Sequence, residues 1–270
     1  MQRHLERLLW REVPVPFRWT RNGAIIWEGP SSITGEPIVA IAVGLESASL
    51  NTKTGAAIQV YYLPQDYSPL DAWALGMDAI VCGGCQHGSP ERGGDGDCYV
   101  QLGKAPQGIW KCYRRGGYPR WSLLEFAAYC ARTQATVRLG AWGDPGATPH
   151  HVSLLAVAGA SDRLGYSHQW EARPDLIGLC MASVDSRAQL DAAQEAGWAT
   201  FRVKLPGESR APGEAQCPAS EEAGRKVTCS GCPIGCHGEL LGIKPNGEPA
   251  ITGRAIDAHG ARSGRFKLAS

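Results

Sequence analysis

The segment VCGGCQHGSPERGGDGDCYV, residues 81–100, spaces Cys82, Cys85 and Cys98 as C-x2-C-x12-C among glycines and acidic residues. Grouped thiolates are more often metal ligands than disulfide partners where thiols stay reduced. Three sulfurs either need a fourth ligand, for which His87 is the local candidate, or leave one coordination position open. A closed set is typical of structural zinc, and an open position is typical of a catalytic centre. We expect the open form, with an iron–sulfur cluster or zinc as the metal.

A second group of four cysteines lies further along the chain, in QCPASEEAGRKVTCSGCPIGC. Four thiolates with one C-x2-C pair can complete a tetrahedral zinc site or hold a four-iron cluster without an open iron. The Gly/Pro/Glu-rich stretch 205–224 leads into this group, and a loop of that length needs a staple. We therefore predict that one zinc ion or iron–sulfur cluster binds Cys217, Cys229, Cys232 and Cys236.

Polar residues follow several of the expected strands. Asp144 lies in LGAWGDP, His168 in GYSHQW and Asp185 in MASVDS, while Asp257 and His259 lie in AIDAHG. Strand ends of an α/β fold share one edge, so these side chains can meet in one mouth and act as general acid, general base or nucleophile. The candidate catalytic residues are Asp144, His168 and Asp185.

The stretch WKCYRRGGYPRW, residues 110–121, interleaves basic and aromatic residues. Basic side chains neutralise phosphates and aromatic rings stack on exposed bases, so this composition predicts a nucleic-acid contact. A solvated loop with half-buried aromatic residues has the same composition, and the sequence leaves both readings open. The candidate contacts are Arg114, Arg115, Tyr118 and Arg120.

The elements that must position these residues follow from the apolar runs. PIVAIAVGL and AAIQVYYLP, joined by turn-forming residues, predict a β-hairpin within residues 37–63. The run leading to Cys82 is strand-like, and from about residue 122 helix patterns alternate with strand patterns, which predicts a parallel sheet with crossover helices. We expect an α/β fold, a partial or irregular (βα) barrel. Residues 1–79 would form a β-rich segment, and residues 80–270 the barrel-like domain with its cysteine-rich loops.

Composition limits the expected binding partners and the cellular location. The 27 basic and 26 acidic side chains nearly cancel, so overall charge gives no reason to expect nonspecific polyanion binding. No stretch reaches the roughly 18 apolar residues of a membrane span, and the first residues lack a signal-peptide pattern. We expect a cytoplasmic protein with no membrane partner. Free thiols act as small core hydrophobes, which is the role we expect for Cys112, Cys130 and Cys180.

Three cysteines in an early loop, the last followed by an aromatic residue, and then a strand ending in GAWGDP resemble the radical S-adenosylmethionine enzymes. The resemblance is closer to cysteine-rich phage proteins that are distant relatives of those enzymes. It implies that the three cysteines bind a four-iron cluster whose fourth iron is open to the amino and carboxylate groups of S-adenosylmethionine. The usual spacing in that superfamily is C-x3-C-x2-C. The strand end beside the methionyl amine would be formed by Gly140, Gly143, Asp144 and Pro145.

Three functions are open at the level of sequence. The first is a metal–sulfur enzyme, radical-SAM-like, acting on a nucleotide or nucleic acid. The second is a zinc-stapled barrel similar to the base transglycosylases, with Asp144 and Asp185 as candidate base and nucleophile. The third is a zinc-dependent nucleic-acid-binding protein without catalysis. Colour separates the first from the others, because iron–sulfur proteins are brown and zinc proteins are colourless.

Overall fold

A computed structural model describes two β-sheets with the helices and loops that connect them. The described residues are 13, 22–47, 54–204, 207–220, 223–224, 227–229, 232, 236, 241–243, 249–251 and 253–257.

The first sheet combines an antiparallel half with a parallel half. Its strands are Gly23–Pro30 (β1), Pro37–Val43 (β2), Ile58–Pro64 (β3), Thr136–Arg138 (β4) and Asp162–Leu164 (β5), hydrogen-bonded in that order. β1, β2 and β3 pair antiparallel, whereas β4 lies parallel to both β3 and β5. The pairing of β2 with β3 confirms the hairpin predicted within residues 37–63.

The second sheet is parallel throughout. Its strands are Tyr166–Ser167 (β6), Met181–Val184 (β7), Thr200–Lys204 (β8), Glu214–Gln216 (β9) and Gly253–Asp257 (β12). Two further strands, Leu241–Ile243 (β10) and Pro249–Ile251 (β11), form a separate antiparallel pair. The order in the sheet is β6-β7-β8-β12-β9. Every pairing in that order is parallel.

The two sheets meet at Gly165, the single residue between β5 and β6. Its amide donates to the carbonyl of Cys236 at 3.2 Å, and its carbonyl accepts from the amide of Met181 at 3.0 Å. A Cβ at this position would lie 3.0 Å from the sulfur of Cys180. A residue without a side chain therefore lets the chain pass from one sheet to the other.

Helices connect β3 to β4, β4 to β5 and β7 to β8, which is part of the alternation predicted from residue 122 onwards. They are Pro69–Ala74 (α1), Ala79–Cys82 (α2), Ala105–Arg114 (α3), Leu123–Thr133 (α4), His150–Ala158 (α5) and Arg187–Glu195 (α6). α4 begins with a capping box between Ser122 and Glu125, which satisfies two backbone donors that a helix start leaves unpaired. α5 crosses from β4 to β5, and α6 crosses from β7 to β8. The fold is therefore mixed α/β.

Two details differ from the expectations, and one is not confirmed. The run that ends at Cys82 forms a helical turn, Ala79–Cys82, in place of the expected strand. A run of four apolar residues is too short for its period to distinguish a helix from a strand. The basic–aromatic stretch starts inside α3 and becomes irregular only after Arg114. The expected barrel is not confirmed: among the described strands each sheet is open, with β1 and β5 at the edges of the first sheet and β6 and β9 at the edges of the second.

The core packs the sheets against α4, α5 and α6, with Phe126 and Leu190 among its fully buried side chains. The three isolated cysteines are buried as expected: Cys112, Cys130 and Cys180. None of the helices within the described ranges is long and apolar enough to cross a lipid bilayer.

Candidate metal centres

An internal ion pair holds the three-cysteine loop, residues 82–98, in shape. The Nε of Arg92 donates to the buried carboxylate of Asp78 at 2.9 Å, and its Nη2 donates to the carbonyl of Cys85 at 3.0 Å. The amide of Ser89 donates to the same oxygen of Asp78 at 3.1 Å. A Cβ at Gly88 would overlap the guanidinium of Arg92, so a side chain here would push Arg92 out of these contacts. The loop is therefore folded around the side chain of Arg92.

Burial disfavours the thiolate at two of the three loop cysteines, Cys82 and Cys98. Burial raises the pKa of Cys82 well above its usual value, and the neighbouring Cys85 and Cys98 raise it further. Burial also raises the pKa of Cys98 to about 12. Such thiols stay protonated on their own, and a bound metal would reverse this because it binds the thiolate. The site is therefore suited to thiolates only together with a positive ion or cluster.

His87 directs both ring nitrogens at carboxylates. Its Nδ1 lies 2.7 Å from Oδ1 of Asp97, and its Nε2 lies 2.9 Å from Oδ1 of Asp185. The contact with Asp185 is the main cause that raises the pKa of His87 to about 9. In this arrangement neither nitrogen is available to close a Cys3His site.

His168 and Asp185 meet as their strand-end positions predict. They follow β6 and β7 directly, and the parallel register of these strands sets Ser167 beside Ala182. Nε2 of His168 lies 3.5 Å from Oδ2 of Asp185, without a well-formed hydrogen bond. The side chain of His168 also contacts Cys85. The predicted catalytic pair therefore adjoins the three-cysteine loop.

The charges in this cluster reinforce one another. Burial alone lowers the pKa of His168, but Asp185 and Cys85 outweigh it and hold that pKa well above its usual range. Burial alone raises the pKa of Asp185, but His168 and His87 outweigh it and hold that pKa well below its usual range. In the absence of a metal, the carboxylate is therefore ionised between two imidazoles that favour their protonated forms.

His87, His168 and Asp185 are the one group of three metal-ligating side chains, in the part of the chain that the structure describes, whose ligand atoms lie within 4.8 Å of one another. Within the same ranges, neither cysteine group has three sulfurs at that mutual distance. Sequence reasoning placed His168 and Asp185 together. It missed the contact of His87 with Asp185, which spans 98 positions.

Asp144 is 6% exposed and its oxygens are engaged internally. Its Oδ1 accepts from the amide of Gly146 and the hydroxyl of Ser167, each at 2.7 Å, and its Oδ2 accepts from the amide of His168 at 2.7 Å. Burial raises the pKa of Asp144, and the bond from Ser167 opposes that rise. The carboxylate therefore positions the backbone of His168. A catalytic role for Asp144 stays a prediction.

The glycines of the GAWGDP run have a backbone reason. Gly140 and Gly143 have φ values of +70° and +81°. A Cβ at Gly143 would lie 2.5 Å from the carbonyl oxygen of Tyr62, so the close approach of β3 also requires glycine. Both residues shape the turn from β4 into the short 3-10 helix that Pro145 begins. Their role in cofactor binding stays a prediction.

The structure brings the four C-terminal cysteines around one small cavity. The backbone of Cys236 pairs with Leu164 at the end of β5, which anchors this part of the loop to the first sheet. A hydrophobic cluster that includes Met181 and Phe201 lies against the cavity. The residues that line the cavity are Leu164, Cys217, Pro218, Ala219, Cys229, Cys232 and Cys236.

A buried cation lies beside this second group. Arg138 on β4 is 7% exposed and donates to the hydroxyl of Tyr99 at 2.8 Å. Within the described residues no carboxylate pairs with Arg138, and its charge acts on Cys229. The hydroxyl of Tyr166 forms a hydrogen bond with Cys236. A nearby positive charge and a hydroxyl donor both favour thiolates, so the surroundings suit an anionic metal–thiolate centre.

The basic–aromatic stretch combines exposed arginines with packed rings. Arg114 lies 3.9 Å from Asp66 and stacks over a tryptophan ring, Arg120 pairs with Glu28, and Arg115 is exposed at the end of α3. The predicted nucleic-acid contact is not tested by these positions. The aromatic residues that pack into or against the core are Trp110, Tyr113, Tyr118 and Trp121.

The remaining strand-end candidates give little information. Asp257 is the last residue of β12, but its side chain is outside what the structure describes. His259 lies outside the described residues.

Comparison of the chain with models of protein families, with curated proteins and with solved structures found no match.

Proposed function

We propose that this chain is a metal–sulfur enzyme in which Cys82, Cys85 and Cys98 hold a centre with an open coordination position. The observation that carries the proposal is that both ring nitrogens of His87 face the carboxylates of Asp97 and Asp185. The local residue that could close a Cys3His site is thus engaged elsewhere. Three thiolates fit the donor set of an iron–sulfur cluster with one iron free to bind a small molecule.

The surroundings of the loop support chemistry at that open position. His168 contacts Cys85 and approaches Asp185, so a molecule bound at the centre would meet an imidazole and a carboxylate. Groups of this kind move protons to and from a bound substrate. Both residues are side-chain neighbours of the loop and are held by the ends of adjacent strands. The site therefore has a rigid acid–base side next to its sulfur side.

The architecture favours an open, partial barrel. β3, β4 and β5 run parallel in the first sheet, and β6, β7, β8 and β12 continue in parallel after Gly165. In α/β folds of this kind, ligands bind at the carboxyl ends of the strands. His168 and Asp185 lie at such ends, so the proposed centre has the position that the fold predicts.

The radical-SAM-like form of the proposal rests on the three thiols and on the resemblance of the sequence. The donor set fits a cluster, and when bound the cluster would supply electron transfer. The GAWGDP run fits the methionyl amine less well, because Asp144 gives its oxygens to Gly146, Ser167 and His168. We therefore assign no step of a reaction to S-adenosylmethionine.

A nucleotide or nucleic acid is the substrate class that we propose, as for a phage-type modification enzyme. The support is the exposed charge of Arg114, Arg115 and Arg120. Guanidinium groups bind phosphate with paired hydrogen bonds. Two of the three have acidic neighbours, Asp66 and Glu28, which a phosphate would have to displace.

The test is the iron and acid-labile sulfide content of anaerobically purified protein. We expect brown protein, and we expect Cys82→Ser, Cys85→Ser and Cys98→Ser each to lose the iron and sulfide of this centre. His87→Ala should keep the acid-labile sulfide and the brown colour of this centre, because His87 is not a ligand of the centre. Cys112→Ala, which removes a buried cysteine outside both groups, is the control and should match the unmodified chain.

Two results would contradict the proposal. Loss of the loop's metal in His87→Ala would identify a closed Cys3His staple. Colourless protein that contains zinc alone, after reconstitution with iron and sulfide, would favour the zinc-stapled transglycosylase or the zinc-dependent binding protein.

A further inference from the structure

Three side chains beside the cysteine loop converge without using sulfur. His87 comes from the loop, His168 from the end of β6 and Asp185 from the end of β7. Two imidazoles and one carboxylate form the donor set that holds divalent iron in many oxygenases and, with glutamate as the carboxylate, zinc in some peptidases. We propose that His87, His168 and Asp185 bind a divalent first-row transition-metal ion, such as Fe²⁺ or Zn²⁺, next to the three-cysteine centre.

The distances between the ligand atoms fit one shared ion. Metal–ligand bonds of about 2.0–2.2 Å set neighbouring ligand atoms roughly 2.8 to 3.6 Å apart, from octahedral to tetrahedral geometry. Nε2 of His87 lies 2.9 Å from one oxygen of Asp185, and Nε2 of His168 lies 3.5 Å from the other oxygen. An ion would therefore need only small movements of these side chains.

The second nitrogen of His87 has the partner that a metal-bound histidine needs. Its Nδ1 lies 2.7 Å from the carboxylate of Asp97. Metal-ligating histidines commonly donate their other ring N–H to a carboxylate, which fixes the tautomer and makes the ligating nitrogen more basic. With Nδ1 held in this way, Nε2 of His87 is the ligating atom, and it is the atom that faces Asp185.

The backbones of the other two proposed ligands are also fixed by hydrogen bonds. The carboxylate of Asp144 accepts from the amide of His168 at 2.7 Å, and the side chain of Gln189 accepts from the amide of Asp185 at 2.8 Å. Nε2 of His168 is buried and makes no well-formed hydrogen bond. Its contact with Asp185 is long, at 3.5 Å, and a metal ion between the two groups would give both a closer partner.

A metal ion explains the cluster better than a plain ion pair. An ion pair needs one imidazole for one carboxylate, whereas here two imidazoles face opposite oxygens of the same carboxylate. The imidazole side chains stay 21% and 25% exposed, so one side of the cluster is open. Three protein ligands leave coordination positions for water or a substrate oxygen, and an ion there would polarise that oxygen. With the ion bound, His168 and Asp185 would serve as ligands, and proton transfer would pass to the polarised oxygen instead of these side chains.

The site can be tested with Co²⁺ as the probe on the full chain. Thiolate-bound Co²⁺ gives intense sulfur-to-metal charge-transfer bands in the near ultraviolet, and Co²⁺ bound by nitrogen and oxygen gives only weak visible bands. We expect His168→Ala and Asp185→Asn to bind one Co²⁺ fewer per chain than the unmodified protein, with the charge-transfer bands unchanged. Asp185→Glu keeps a carboxylate and should retain the ion.

The matched control is His150→Ala. Nδ1 of His150 lies 3.2 Å from Asp175. This substitution therefore removes a histidine from a similar histidine–aspartate pair that is not part of the three-ligand cluster. Circular dichroism checks the fold of each variant, and His87→Gln replaces any variant that does not fold.

Each other outcome overturns the inference. Equal Co²⁺ binding in the variants and the unmodified protein would leave the cluster as an acid–base group without a metal. Loss of the charge-transfer bands together with the ion would make a histidine a ligand of the sulfur centre, and the separate site would not exist. The iron and sulfide content of the cysteine variants tests the proposed function independently of either result.

Discussion

The two cysteine groups of this chain have different neighbours. The three-cysteine loop lies beside a buried carboxylate and two imidazoles that remain partly open to solvent. The four-cysteine group surrounds a small cavity, packs on hydrophobic residues and has the buried guanidinium of Arg138 nearby. Polar, open surroundings suit chemistry, and apolar, closed surroundings suit a structural metal. Under the proposed function, this difference corresponds to a catalytic centre at the three-cysteine loop and a structural metal at the four-cysteine group.

Removal of a cysteine from the four-cysteine group gives the sharpest test of this contrast. Cys236→Ser should lower the melting temperature by roughly 10 °C or more, because structural metal binding contributes folding free energy on the order of 10 kcal/mol in small zinc units. Cys98→Ser should lower it by less than about 4 °C. Thermal unfolding followed by circular dichroism measures both. Equal melting temperatures for the two variants would remove the distinction between the groups.

A second test concerns the carboxylate behind His87. Asp97→Asn removes the charge that holds Nδ1, and we expect the affinity of Co²⁺ for the proposed His–His–Asp site to fall by about 10- to 100-fold. The iron and sulfide of the cysteine centre should not change. Asp95→Asn, two positions away in the same loop, is the control. It removes the same charge, but the described hydrogen bonds of His87 are with Asp97 and Asp185 and not with Asp95. A parallel loss of iron would join the two sites into one.

A third test concerns the cation beside the four cysteines. Arg138→Met removes a buried positive charge while it keeps a long side chain, and the metal affinity of this group should fall by roughly tenfold. Competition with a chelator measures the affinity. Tyr99→Phe removes the hydrogen bond from Arg138 without the charge and should have little effect. A similar loss in both variants would assign the effect to packing.

Sequence patterns predicted the parts of the site that follow regular elements. His168 and Asp185 each come directly after a strand, and adjacent parallel strands end at the same edge. The hairpin of β2 and β3 and the capping box of α4 are local signals of the same kind. Such features depend on neighbours in sequence or on the general geometry of a sheet.

The remaining parts depend on long-range contacts that no local pattern contains. The position of His87 depends on where its loop returns across the sheet, because its partner Asp185 is 98 positions away. The four-residue run before Cys82 forms a helical turn because of its surroundings, since so short a run has no distinguishing period. The burial of Arg138 could not be predicted from the sequence, because arginine is usually exposed and no local pattern marks this one as buried. Its environment exists only after β4 enters the sheet.

The last prediction, with the smallest expected effect, concerns whether the basic–aromatic stretch binds nucleic acid for the proposed centre. Replacement of both Arg114 and Arg115 by Ala should weaken binding to a single-stranded oligonucleotide and lower the slope of log affinity against log salt by about 1.4, which is roughly 0.7 for each lost phosphate contact. Arg187→Ala, which removes an arginine paired with Asp191 much as Arg114 is paired with Asp66, is the control and should leave the slope unchanged. An unchanged slope in the double variant would make the stretch a structural one, in agreement with its packed aromatic rings. Because these arginines lie on α3 and its end rather than on the three-cysteine loop, the double variant should keep its iron and sulfide whatever the binding result.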